Sequence, residues 1–366
     1  MINSTPLLES LGFAIDIATF KNEANLEYIS DESTIFEFDS YLGTYSFSPS
    51  FNKWLLANLK NYNAVIIHGI WQFHSYAVAR HCKKQKIPFV LFTHGMLDPY
   101  FNSVSFFKYI KKVLYWKVFE NTTLSLASRV LFTSEEEKRC SALSFSPYEV
   151  NGEVIAYGSP DLSIKNTSTN RFYDTYPLLK NKQIFLFLSR IHPKKGIEVL
   201  INAISRLEKS GNDVAFCIAG PINESYKTKL EALISSLNIS NKIHWLGMLD
   251  GELKHGAFKA ADVFILPSFQ ENFGIVVAES LSLSTPVIIS DRVNIWQEIK
   301  ASKSGYVCEP SATGLVKAIE KWNTLSSEEK KIMSKNARSC YESQFSLQES
   351  AKDIARVIRD IAAVSP

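Results

Sequence analysis

A chain of 366 residues with 40 Lys and Arg against 37 Asp and Glu, a net charge of +3 and 46% hydrophobic residues has the make-up of a globular protein of about two domains. This excludes a largely disordered or collagen-like chain, and no run of about 18 or more uncharged apolar residues is there to span a membrane. The weak positive charge gives no argument for nucleic acid as a partner.

The N-terminus, MINSTPLLES, lacks a basic region followed by an apolar core, so no secretory signal is expected. Cys82, Cys140, Cys217, Cys308 and Cys340 contain no CxxC pair. Such a scattered set predicts reduced thiols in a cytosolic protein. The seven histidines form no HExxH pattern, and no metal site is expected.

Along the chain, short apolar runs alternate with helical patterns. Gly12–Phe20, Ala64–Ile70, Pro88–His94 and Arg129–Thr133 read as strands, with helices over about 50–61, 75–85, 103–120 and 135–144. Ser134 and Glu137 have capping-box spacing. Residues 159–182 are rich in Ser, Thr, Asn, Pro and Lys and predict a linker. The alternation then restarts. Ile184–Leu188, Val214–Ala219, Ile243–Leu246, Val263–Leu266, Val287–Ile289 and Gly305–Cys308 read as strands, with helices over about 196–209, 225–237, 251–260 and 275–284. In the tail, Ser346 and Glu349 offer a second capping box, and Ala351, Ile354, Ala355, Ile358, Ile361 and Ala362 share one helical face. Continuous apolar strands between helices predict parallel sheets covered on both faces. The expected architecture is two doubly wound α/β domains facing a cleft, with ligands in loops that follow strand carboxyl ends.

Four segments at such positions stand out. SRIHPKKG, Ser189–Gly196, places Arg190, Lys194 and Lys195 beside a helix start, which suits a diphosphate; a solvated basic loop is the plain alternative. LPSFQENFGIVVAE, Leu266–Glu279, carries Gly274 at a helix start. Its Glu271 and Glu279 suit sugar and ribose hydroxyls, or else a loop carboxylate and a helix-end ion pair. HGMLDPY, His94–Tyr100, puts a histidine at a strand end, and HGIWQFH puts His68, Gly69 and His74 in a parallel place; chemistry alone does not separate the three histidines. Phe106–Phe119 interleaves Lys108, Lys111, Lys112 and Lys117 with aromatics. Either it lies on an anionic membrane surface, or, as the favoured reading, it covers a core with its lysines in water.

Together these segments resemble the retaining glycosyltransferases of family 4, which have the GT-B fold of two Rossmann-like domains. SRIHPKKGIEVLINA resembles that family's Arg-and-Lys loop for the donor diphosphate. ADVFILPSFQENFGIVVAESLSLSTPVIISD resembles its E-x7-E region, with Asn272 where a Gly is more usual. IAGPINESY and HWLGML match in order and spacing, and the first half resembles a subgroup with HG-Trp and HGMLDP elements. The resemblance implies a nucleotide-sugar donor, used as a substrate with no cofactor or metal. Arg190 and Lys195 would hold its diphosphate and stabilise the departing nucleotide. Glu271 would contact the donor sugar and Glu279 the ribose, the backbone of Phe273, Gly274 and Ile275 would approach sugar and phosphate, and His94 would lie near the reacting centre. His94, Glu271, Arg190 and Lys195 are thus the expected catalytic set.

The implied partners are a nucleotide sugar and a glycan or lipid-linked acceptor, at a cytoplasmic or inner-membrane-surface location, in polysaccharide or lipid-linked glycan assembly. The expected division is 1–160 as the acceptor-side domain, 161–182 as linker, 183–345 as the nucleotide-sugar domain and 346–366 as a helix returning to the first domain. One departure stands out. Relatives open with a strand and a Gly-rich loop, whereas this chain starts within the helix that follows, so a central strand is expected to be missing and two strand edges bare. Three rivals accompany the transferase: a catalytically impaired binding or scaffold protein, another GT-B enzyme such as a sugar-nucleotide epimerase, and a generic dinucleotide enzyme, which the lack of a GxGxxG after any strand disfavours.

Overall fold

The computed structural model describes residues 2–21, 34–103, 106–164, 169–207 and 214–363. Residues 104–105, 165–168, 208–209 and 364–366, assigned from sequence to helices or the linker, lie outside them. The chain divides into two compact units, residues 1–158 with 347–366, and Ser159–Ser346.

In the first unit, β3 (Val65–His68), β4 (Phe89–Phe92), β5 (Arg129–Phe132) and β6 (Gly152–Val154) form a parallel sheet in chain order. All four residues of β4 are buried, as a strand covered on both faces requires. A separate parallel pair joins β1 (Asp16–Phe20) to β2 (Thr34–Phe38). Strand β1 starts later than expected from Gly12, and β2 and β6 escaped the sequence pattern. Among the described residues no ladder joins β1 to β3, so each pairs on one side only.

The terminal helix Leu347–Ala363 completes this unit. Its Ala351, Ile354, Ala355, Val357 and Ile361 are buried against Leu8, Val90, Phe92, Leu131 and Ile155. Asp353 accepts a hydrogen bond from the Ala156 N–H at 2.8 Å, and Arg356 reaches Glu153 at 2.6 Å. The single helix expected over 103–120 is instead Tyr100–Ser103, then Phe106–Tyr115, then a wider π turn at Trp116–Glu120. Tyr109, Val113 and Trp116 pack inward on the main core.

The second unit holds six parallel strands: β7 (Gln183–Leu188), β8 (Val214–Ala219), β9 (Ile243–Gly247), β10 (Val263–Leu266), β11 (Val287–Ser290) and β12 (Gly305–Cys308). Their spatial order is β12-β11-β10-β7-β8-β9. The expected linker is built into this unit rather than free. Residues 170–175 form a helix and Pro177–Leu179 a tight turn, with Phe172 and Leu179 buried. Arg338 grips Asp161 with two nitrogens, at 2.9 and 2.7 Å, and donates to the Ser282 carbonyl at 2.6 Å. Burial pushes the Asp161 carboxyl up, but Arg338 and Ser163 outweigh it and leave it below its ordinary value. All five cysteines are unpaired.

Candidate active site

The order of the second sheet fixes where a ligand belongs. From β7 the chain winds one way through β8 and β9; from β10 it winds the other way through β11 and β12. Strands β7 and β10 are neighbours, so their following loops part and leave a crevice at the carboxyl ends. Those loops are Ser189–Gly196 and Pro267–Gly274.

Backbone contacts lace the two loops together. Phe269 N–H donates to the Lys194 carbonyl at 2.8 Å. Gly196 has φ 72°, and a Cβ there would sit 2.0 Å from the Pro267 oxygen, so this crossing admits only glycine. His192 Nδ1 accepts from the Lys194 N–H at 3.1 Å, shaping the turn that presents Lys195. On the other side, Glu271 N–H donates to the Arg292 carbonyl at 2.9 Å, and Asn294 N–H donates to the Glu271 carbonyl at 3.0 Å. The loop after β11 thus seats Glu271, a support the sequence pattern did not reveal.

The side chains converge. Lys195 and Glu271 form an ion pair, each largely buried. Burial, and then the neighbouring Lys194 and Arg190 cations, push the Lys195 ammonium down to about 8. Arg190 is exposed at the loop's start. Gly274, with φ 70°, caps the helix Ile275–Ser282, whose first N–H groups have no intrahelical carbonyl to reach. Ile275 is exposed, while the Phe273 ring turns inward and meets Phe345 edge-on at 5.5 Å. Asn272 is not among the residues with positive φ, so glycine is not required there.

Glu279 is buried, and its Oε1 accepts from Lys254 Nζ at 2.7 Å. The helix-end ion pair considered from sequence is therefore present. Its Oε2 is buried with no hydrogen-bond partner among the described residues, an acceptor left for a donor from outside the fold. Lys254 escaped sequence reasoning because nothing in its spacing ties residue 254 to 279.

In the first unit the three histidines now separate. His94 Nε2 lies 3.1 Å from His68 Nδ1, and its ring stacks on Phe92 at 5.4 Å. His74 turns to the His68 carbonyl at 2.9 Å instead. Burial holds the His94 imidazole below its ordinary value, while the Glu137 carboxylate works against that. The capping box at Ser134 is only half made. Ser134 Oγ accepts from the Glu137 N–H at 3.1 Å, but the Glu137 carboxylate reaches the loops around Thr93 and Thr133.

Phe106–Tyr115 covers the core as the favoured reading has it, and it also carries an exposed apolar side. Its outer side leaves Phe106, Phe107, Ile110 and Leu114 exposed, with Val118 beyond, among exposed Lys108, Lys111 and Lys117. Lys112 instead lies over the Trp71 and Phe101 rings at 5.0 and 5.7 Å. No helix among the described residues is long and apolar enough to cross a membrane.

Comparison with known proteins follows the same division. The profile described as Glycosyl transferases group 1 matches residues 171–339, and that of Glycosyltransferase Family 4 matches residues 6–143. An uncharacterized glycosyltransferase of Methanocaldococcus jannaschii is 28% identical over 224 residues, 59% of this chain and 55% of its own length. The match thus spans about half of that relative. Among solved structures, a glycosyltransferase from Rickettsia africae superposes with a TM-score of 0.78 at 20% identity, covering 100% of this chain and 94% of the other. An Anabaena protein solved in complex with UDP-glucose gives a TM-score of 0.72 at 16% identity, covering 94% and 99%. At such identities the structural likeness speaks for the fold alone, the expected pair of Rossmann-like units.

Proposed function

The chain belongs to the family 4 glycosyltransferases of GT-B fold, and on that premise we propose that it transfers a sugar from a nucleotide sugar to a hydroxyl acceptor with retention at the anomeric carbon. The observation that carries this reading is the crevice at the switch point of the second sheet. There Lys195 pairs with Glu271, and Glu279 offers a buried free oxygen.

Each group has a chemical task. When the bond from the anomeric carbon to phosphate breaks, its electron pair stays on the diphosphate. Arg190 and Lys195 stabilise that growing charge directly, the task a metal performs elsewhere. Glu271, facing Lys195, accepts from hydroxyls of the donor sugar. Glu279 Oε2 accepts from the ribose. The backbone at Phe273, Gly274 and Ile275 approaches sugar and phosphate, where the absence of a Gly274 side chain leaves room. The acceptor oxygen closes on the anomeric carbon as its proton passes to the departing diphosphate, and His94 is the first unit's member of the proposed catalytic set.

The acceptor in this reading is a glycan or lipid-linked hydroxyl in surface polysaccharide or lipid-linked glycan assembly. The outer stripe of Phe106–Val118, apolar and flanked by three lysines, supports peripheral contact with the inner, anionic face of a membrane. Vesicle sedimentation at low salt checks it. Lys108→Glu with Lys111→Glu should release the protein from anionic vesicles; equal binding by this variant, or no binding by the wild type, rejects the contact.

A second reading, a donor-binding protein without turnover, draws on the two unpaired sheet edges at β1 and β3. Proton NMR of the reaction with UDP-, GDP-, ADP- and dTDP-sugars separates the two. The transferase reading expects release of nucleoside diphosphate and a product of the donor's anomeric configuration. Inverted product overturns retention, and donor binding without release favours the second reading.

A further inference from the structure

His94 has a backbone conformation that its neighbours must enforce. Its φ is 49°, in the left-handed region that side-chain-bearing residues avoid. Directly on either side of it, Thr93 Oγ1 and Gly95 N–H donate to one oxygen of Glu137, at 2.7 and 2.6 Å. The other oxygen accepts from Thr133 N–H at 2.8 Å and Thr133 Oγ1 at 2.7 Å. Glu137 is 2% exposed, so its carboxylate is buried and receives four donors from the loops after β4 and β5. A residue serving only its own helix would have turned back to the Ser134 N–H, as a complete capping box does.

We propose that Glu137 is a positioning residue: it clamps both peptide neighbours of His94 and thereby fixes the direction of the imidazole. The ring is held on its remaining sides by Phe92, by His68 Nδ1 at 3.1 Å, and by Tyr157, edge-on at 6.0 Å. Among the described residues the titratable groups around His94 include Glu137, His68 and Tyr157, and the cationic N-terminus acts against its protonation. Glu137 supplies the negative charge among them and favours the imidazolium. Only a carboxylate satisfies the clamp, because all four contacts are donors. A glutamine would turn its own NH2 toward two of them.

The inference rests on His94 acting at the reacting centre, and the test separates the two claims. Glu137→Gln is compared with wild type by NMR of labelled histidine side chains and by steady-state kinetics. The clamp predicts a displaced His94 resonance that titrates at lower pH. Catalysis through His94 adds a loss of about a hundredfold in kcat, with the donor KM unchanged because the donor loops lie in the other unit. A shifted resonance with unchanged kcat keeps the clamp and removes His94 from the chemistry. An unchanged His94 resonance and titration overturn the clamp, whatever His94→Ala does to activity. Thr133→Val, which removes one donor and keeps the charge, guards against misfolding of the first variant. It should move the resonance without lowering the pH at which His94 titrates; a change as large as that in Glu137→Gln would contradict the charge argument.

Discussion

Lys195 and Glu271 meet as an ion pair across two loops, with side-chain exposures of only 14% and 20%. Each arrives from a different strand, β7 or β10, so the pair marks where the two halves of the sheet diverge. Without a donor the two charges offset each other. In the proposed function, a diphosphate beside Lys195 would replace Glu271 as its counter-charge and free that carboxylate for sugar hydroxyls. Because Lys195 sits at about 8 and a diphosphate favours its charged form, nucleoside diphosphate affinity should be steady below that pH. It should weaken above it by up to about tenfold per pH unit. Calorimetric titration between pH 6.5 and 9.5 checks this, and a flat profile would exclude Lys195 from the phosphates.

Glu279 Oε2 has no hydrogen-bond donor among the described residues, and in the proposed function it accepts from the nucleoside and does not touch the phosphates. Hydrogen bonds to a charged group are worth about 1.5–3 kcal/mol. Glu279→Gln should therefore weaken a nucleoside diphosphate by roughly tenfold or more and leave inorganic pyrophosphate unaffected. Competition binding measures both. Equal losses for the two ligands would mean that the residue only supports the loop.

Glu120 is fully buried, with Trp71 N–H at 3.2 Å as a donor. Burial pushes its carboxyl up to about 7, against the hydrogen bonds from Trp71 and Ser75. The folded state therefore keeps a proton that the unfolded chain releases nearer 4.5. The stabilisation is fully present below that lower value and is lost as pH rises through about 7, amounting to roughly 3 kcal/mol at most. Glu120→Gln should flatten this part of the stability profile. Melting temperatures from pH 4 to 8 should converge at low pH and favour the variant at high pH; parallel curves would contradict the assignment.

Gly196 carries the crossing of the loops that follow β7 and β10. A methyl group there meets the Pro267 carbonyl at 2.0 Å, at a φ of 72°. Gly196→Ala should cost about 3 kcal/mol of stability or push the loops apart. In the second case nucleoside diphosphate affinity should fall about a hundredfold. Denaturation and binding measured together show which, and a variant like wild type in both would refute the close approach.

Much of this was legible in the sequence, for physical reasons. The central strands β7, β8, β10 and β11 of the second unit are continuous apolar runs because they are covered on both faces; β8, β10 and β12 fall on their expected residues. The loops that follow β7 and β10 announce themselves through Lys195, Gly196, Glu271 and Gly274. What stayed hidden depends on contacts distant in sequence. Lys254 meets Glu279 from another helix, and Arg292 and Asn294 hold Glu271 from another loop. Glu137 stands out by its spacing from Ser134, but spacing does not tell a carboxylate which way to turn. The 161–182 segment read as linker because its polar composition masks two anchors, Phe172 and Leu179. In Phe106–Tyr115 the aromatics on opposite sides of the helix merged into one pattern.

Every role proposed for the crevice between the β7 and β10 loops depends on its binding a nucleotide sugar. Thermal unfolding with UDP-, GDP-, ADP- and dTDP-sugars tests it most directly. A ligand that binds only the folded state, at about 100 times its Kd, adds roughly 2.7 kcal/mol. One donor class should raise the melting temperature, and Arg190→Ala and Glu279→Ala should each shrink that rise. A cooperative transition unmoved by every donor, or a rise that both variants keep in full, would contradict the account.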